Sequence, residues 1–115
     1  MTPNEYQKAA LRTASNDVNF SRVIYSRLAE GVMGLSGEAG ECMDLLKKHY
    51  FQGHDLDHEH MAKELGDVAW YLALSAHAIG YDLETILQMN IDKLKERYPE
   101  GFDTNKSQNR KPGDI

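Results

Sequence analysis

The 115-residue sequence predicts an all-α, four-helix-bundle-like fold. Apolar residues recur at spacings of three, four and seven, capping and stop residues punctuate the chain, and no segment alternates convincingly as a strand would. A composition of 41% hydrophobic and 27% charged residues suits one globular domain with a modest core.

The first helix begins at Thr2. Thr2-Pro3-Asn4-Glu5 offers a cap, a proline at the first helical position and a capping-box glutamate. It runs to about Ala14, with Ser15-Asn16-Asp17 as a break. The second covers about Phe20 to Tyr50, with a bend or interruption expected near Gly31 to Gly37, and Gln52-Gly53-His54-Asp55 stops it. The third is capped by Asp57 and reaches Ile79, with Gly80 beyond its end. Met61, Leu65, Val68, Leu72 and Ile79 form its apolar stripe. The fourth follows Asp82, turns Leu83, Ile86, Leu87 and Leu94 inward, and stops before Pro99. The short link between the last two predicts antiparallel packing. From Asp103 onward the chain is polar, so the domain is expected to span 1–102, with a tail at 103–115 that is mobile unless it docks.

Charge and cysteine content narrow the function. Eighteen acids oppose 13 Lys and Arg, a net charge of -5, which disfavours non-specific binding of a nucleic-acid polymer. An acidic chain can still hold an anionic substrate when metal cations stand between them. Cys42 is the sole cysteine, which rules out an intrachain disulfide and a cysteine zinc site. No apolar run approaches the roughly 20 residues of a membrane span. Met1-Thr2-Pro3-Asn4-Glu5 lacks the order of a signal peptide, so a cytoplasmic location is expected.

Glu38 and Glu41 stand at i and i+3, and Glu64 and Asp67 repeat that spacing on the next helix after 22 intervening residues. Helix surfaces are rich in such pairs, so either alone means little. Two facing pairs, however, gather four negative charges, which destabilise one another unless cations intervene. Carboxylate oxygens without histidine or thiolate suit Mg2+, with Mn2+ as a substitute. Asn90, Lys93 and Arg97 share one face of the fourth helix, an arrangement suited to phosphate oxygens as well as to a solvated helix end. Gly31, Gly34, Gly37 and Gly40 recur every third residue, predicting either close helix approach or room for a ligand.

Three separated runs carry a resemblance: Gly34-Leu-Ser-Gly-Glu-Ala-Gly-Glu41, Glu64-Leu-Gly-Asp67-Val-Ala-Trp-Tyr71, and Asn90 through Tyr98-Pro-Glu-Gly-Phe102. Together they resemble the short, single-domain MazG-type nucleotide pyrophosphohydrolases of the all-α NTP pyrophosphatase superfamily, over about Leu28 to Arg110. The resemblance implies a magnesium site on Glu38, Glu41, Glu64 and Asp67, with Glu41 or Glu38 accepting the proton of the attacking water. It also implies phosphate contacts from Asn90, Lys93 and Arg97. Cleavage would fall between the α- and β-phosphates of a nucleoside triphosphate, in a housecleaning role, within a homodimer or homotetramer.

Tyr71 shares a face with Asp67 and is expected either to pack or to stack on a base. The His54-Asp-Leu-Asp-His58-Glu-His60 segment reads as a solvated loop, with a lid or an incidental metal site as the alternative; His77 reads as partly buried and Cys42 as inert. Rival functions are a dUTPase-like or phosphoribosyl-ATP pyrophosphohydrolase and a non-catalytic helical oligomerisation module. A di-iron bundle would need Glu-x-x-His pairs, which are absent.

Overall fold

The computed structural model describes residues 1–15 and 23–115, with side chains described from residue 27 in the second stretch. These residues are all-helical, in the order α1 (Pro3–Leu11), α2 (Val23–Gln52), α3 (His58–Ala78), α4 (Leu83–Arg97) and α5 (Thr104–Gln108). They group into two compact units, 1–83 and 84–115. Among the described residues, no helix is long and apolar enough to cross a membrane.

In the first unit, the Thr2 hydroxyl accepts the Glu5 N–H at 3.1 Å and Pro3 opens α1. Regular α-helix ends at Leu11, earlier than expected, and the chain tightens into turns in which Thr13 N–H and Ala14 N–H donate to Ala10 and Leu11 carbonyls. The expected break at Asn16-Asp17 and helix start at Phe20 lie outside the described residues. α2 runs unbroken through all four glycines, so the interruption expected near Gly31–Gly37 is not there. α3 starts where Asp57 caps the His60 N–H at 3.1 Å and ends before Gly80, whose φ of +82° suits a residue without Cβ.

α2 and α3 pack antiparallel: Gly31 lies against Ser75, Gly34 against the Tyr71 ring, and Glu38 beside Glu64 and Asp67. α1 packs on α3. Its Ala10 joins Ala73 and Leu83 in the core, with Tyr6, Trp70 and Leu72 against them. Buried Gln7 ties the layers together. Its amide donates to the Ala73 and Tyr81 carbonyls at 3.2 and 3.1 Å, and its oxygen accepts the Leu83 N–H at 2.9 Å. This pins the chain where α3 gives way to α4. Trp70 Nε1 donates to the Ala10 carbonyl and the Thr13 hydroxyl, fastening the end of α1.

The expected apolar stripe of α3 holds at Met61, Val68 and Leu72, which are partly buried, and is corrected at Leu65 and Ile79. Leu65 and Ile79 are 54% and 53% exposed, while Ala73, Leu74 and Ala76 are buried. The side that α3 turns to α2 carries Glu64, Asp67, Tyr71 and Ser75, roughly a third of a turn around the axis from Leu65. His77, expected to be partly buried, is exposed.

In the second unit, Asp103 caps α5 by accepting the Asn105 and Lys106 N–H groups at 2.8 and 3.3 Å. The tail at 103–115, expected to be mobile unless it docks, carries this short helix and docks through Asp114 on Arg97. Leu87 and Leu94 are exposed rather than inward, because the partners of α4 within this unit are short and polar.

Candidate metal centre

The i, i+3 spacing within α2 and α3, and the depth to which the glycines let α3 approach, decide which carboxylates meet. Gly31 and Gly34 have no side chain to hold α3 away. A Cβ at Gly34 would fall 2.1 Å from the Tyr71 ring, and one at Gly31 would fall 2.3 Å from the Ser75 hydroxyl. Gly37 and Gly40 face open space. The two readings of the stripe thus divide along its length: close approach before Glu38, free volume around and after it.

One turn beyond Gly34, the carboxylates of Glu38, Glu64 and Asp67 bring one oxygen each within 4.8 Å of one another. Glu38 and Glu64 are half-buried and Asp67 is exposed. The Glu38 carboxyl is pushed above its ordinary value, first by loss of solvent, then by the charges of Asp67 and Glu64, with a smaller contribution from Glu41. This is the electrostatic signature of an anionic set short of positive charge. Three of the four expected carboxylates are brought together. Glu41, one turn further along α2, is exposed and lies outside the group, though its charge reaches Glu38.

Neighbours that sequence reasoning passed over complete the surroundings. His60 Nε2 lies 3.1 Å from Glu64 Oε1, an i, i+4 contact on α3 that holds the carboxylate from one side. The spacing of four is visible in the sequence, but such pairs are common on helix surfaces and nothing local shows that this one borders the carboxylate group. The Tyr6 hydroxyl reaches the Gly66 carbonyl in a long 3.5 Å hydrogen bond. Its acidity is weakened by burial and then by the Asp67 charge, which places α1 beside the site. Asp44 binds Lys47 and Lys48 at 2.8 and 2.9 Å, which lowers its carboxyl to about 2. The Lys48 ammonium is also stabilised by Glu41.

Tyr71 is half-buried, with its ring on Gly34 and edge-on to Trp70 at 4.9 Å between centroids. It sets the α2–α3 spacing next to Asp67. Cys42 is a partly buried free thiol. His49 Nδ1 meets the His54 carbonyl at 2.7 Å, so the histidine segment is tied back to the end of α2. Asn90, Lys93 and Arg97 belong to the second unit. Asn90 and Lys93 are exposed, whereas the Arg97 side chain is only 10% exposed and grips Asp114.

An all-oxygen set of this size suits a hard divalent cation such as Mg2+. The donor chemistry therefore fits a metal-assisted reaction on phosphate. Comparison with known proteins places the chain in a family. The MazG nucleotide pyrophosphohydrolase domain family matches residues 27–102, a span that includes all four carboxylates and α4. The chain is also similar to the Gene 37 protein of Mycobacterium phage L5, 35% identical over 82 residues that cover 68% of this chain and 72% of that protein. No solved structure matches the chain.

Proposed function

The chain belongs to the MazG nucleotide pyrophosphohydrolase domain family, and from that premise we propose that it hydrolyses nucleoside triphosphates between the α- and β-phosphates. The products are a nucleoside monophosphate and pyrophosphate, and the reaction depends on Mg2+, with Mn2+ able to substitute. The observation that carries this reading is the convergence of Glu38, Glu64 and Asp67 oxygens within 4.8 Å across two helices.

In this reading Glu38, Glu64 and Asp67 hold the cation, which when bound neutralises phosphate charge and acidifies a water. Glu41, exposed one turn along the same helix, takes the proton from the attacking water. Asn90, Lys93 and Arg97 bind phosphate oxygens and stabilise the charge that builds on the pyrophosphate leaving group. Tyr71, beside Asp67, borders the space for the nucleoside. His60 keeps Glu64 in its binding rotamer. The role is housecleaning of the nucleotide pool in the cytoplasm.

The active protein is a homodimer or homotetramer. Val32, Met33, Met43, Tyr50 and Phe51 of α2 are all at least half exposed, and a second copy is the covering surface this reading gives them.

A magnesium-dependent hydrolysis screen over ribo- and deoxynucleoside triphosphates, resolving pyrophosphate from orthophosphate, tests the assignment. Pyrophosphate release that stops with EDTA is expected, with loss of about 100-fold or more in Glu41→Gln and Asp67→Asn at unchanged helicity. Orthophosphate as the sole initial product, or full activity in both variants, overturns it.

A further inference from the structure

Within the second unit, the end of α4, α5 and residues 109–115 enclose a cavity of about 400 Å³. Five cationic side chains line it, Lys93, Arg97, Lys106, Arg110 and Lys111, against the two carboxylates Glu96 and Asp114. In a chain with net charge -5 this is a local reversal of sign. Its centre is a fork-on-fork pair: Arg97 Nε donates to Asp114 Oδ2 at 2.8 Å and Nη2 to Oδ1 at 2.7 Å. The side chains are 10% and 18% exposed. A planar guanidinium takes a carboxylate and a phosphate by the same bidentate geometry.

We infer that Asp114 is an internal competitor for a phosphate-type oxyanion at Arg97, and that residues 110–115 form a latch which such an anion releases. The inference rests on the reading of Lys93 and Arg97 as phosphate contacts. Asn109 is tied to Asn105 by its backbone N–H and its side-chain amide, whereas beyond it Asp114 is the one residue of 110–115 that is not exposed, so its carboxylate is what holds those residues down. Gly113, at φ +85°, reverses the chain immediately before it, and a single turn bond from the Asp114 N–H to the Lys111 carbonyl supports the loop. Release therefore uncovers little apolar surface. The Arg97 hydrogen bonds hold the Asp114 carboxyl below its ordinary pKa, with smaller help from the charges of Arg97, Arg110 and Lys93. A phosphate or pyrophosphate, with more charge and more acceptor oxygens, makes fuller use of Lys93, Arg97 and Lys106, the lining cations outside the latch, than one carboxylate does.

The test is calorimetric titration of inorganic pyrophosphate into the full chain in metal-free buffer, where no turnover occurs. Wild type is compared with Asp114→Asn, Glu96→Gln and Arg97→Gln. A latch closed nine-tenths of the time reduces apparent affinity about 10-fold, so Asp114→Asn binds about 10-fold more tightly. Glu96→Gln, which removes an equal charge from the same lining, gains much less, and Arg97→Gln loses binding. Equal gains in Asp114→Asn and Glu96→Gln mean a field effect only and overturn the latch. So does equal affinity in wild type and Asp114→Asn, or no pyrophosphate binding by any form. Exchange of this kind in a protein that hydrolyses no nucleotide removes the hydrolase reading alone, whereas turnover without exchange removes the latch alone.

Discussion

Replacing Gly34 by alanine puts a methyl group 2.1 to 2.5 Å from three atoms of the Tyr71 ring, well inside van der Waals contact. Trp70 stands edge-on to the same ring at 4.9 Å between centroids, so a rotation of Tyr71 disturbs that contact as well. α3 must therefore move, or Tyr71 must leave its rotamer. Overpacking of this kind costs about 1–3 kcal/mol, offset by about 1 kcal/mol from the better helix propensity of alanine. The expected net loss is about 1 kcal/mol. Gly31→Ala behaves alike. Turning the Ser75 hydroxyl aside breaks its 2.8 Å bond to the Tyr71 carbonyl, and the Ser75 Cα would still lie 3.1 Å from the new methyl. At Gly37 and Gly40 a Cβ meets nothing, so only the propensity gain remains and each alanine stabilises by about 0.5–1 kcal/mol. The contrast between Gly34→Ala and Gly37→Ala is then about 2 kcal/mol, roughly 8 °C or more in Tm for a domain near this size. Urea and thermal unfolding followed by far-ultraviolet circular dichroism, at matched protein concentration, measures it. One sign of effect at all four glycines, or a destabilising Gly37→Ala beside a neutral Gly34→Ala, refutes the reasoning.

Gln7→Ala leaves the Leu83 N–H without its acceptor and removes the donor to two carbonyls; a loss of about 2–3 kcal/mol is expected in urea unfolding, and a change below 0.5 kcal/mol, roughly a neutral surface mutation, contradicts that role. His60→Ala frees Glu64 and raises the magnesium concentration for half-maximal rate by about 10-fold with little change at saturation; an unaltered magnesium dependence shows the contact to be idle. The pH prediction concerns Asp44, whose folded pKa is depressed. Its pairing with Lys47 and Lys48 supports the fold fully above the ordinary carboxyl value of 3.8 and loses that support as pH falls towards about 2. The stability difference between wild type and Asp44→Asn is therefore constant from neutral pH down to about 4 and shrinks below it. A difference that grows on acidification reverses the sign and refutes the assignment.

Much of this molecule was determined by the sequence alone, because the signals are local. Thr2, Asp57 and Gly80 mark helix ends through bonds or backbone angles that involve neighbours only a few residues away. The pairing of Glu38 with Glu41 and of Glu64 with Asp67 along their helices follows from helical pitch. Only the tertiary structure decided which of these acids meet. That depends on how far α3 rotates about its axis and how deeply it settles on Gly31 and Gly34, and no single-helix period encodes either quantity. The same rotation leaves Leu65 and Ile79 exposed and turns a more polar side of α3, with Glu64 and Asp67, towards α2. The docking of the tail was illegible for a related reason. Asp114 reaches Arg97 across 17 residues, and in composition the segment between them resembles any solvated terminus.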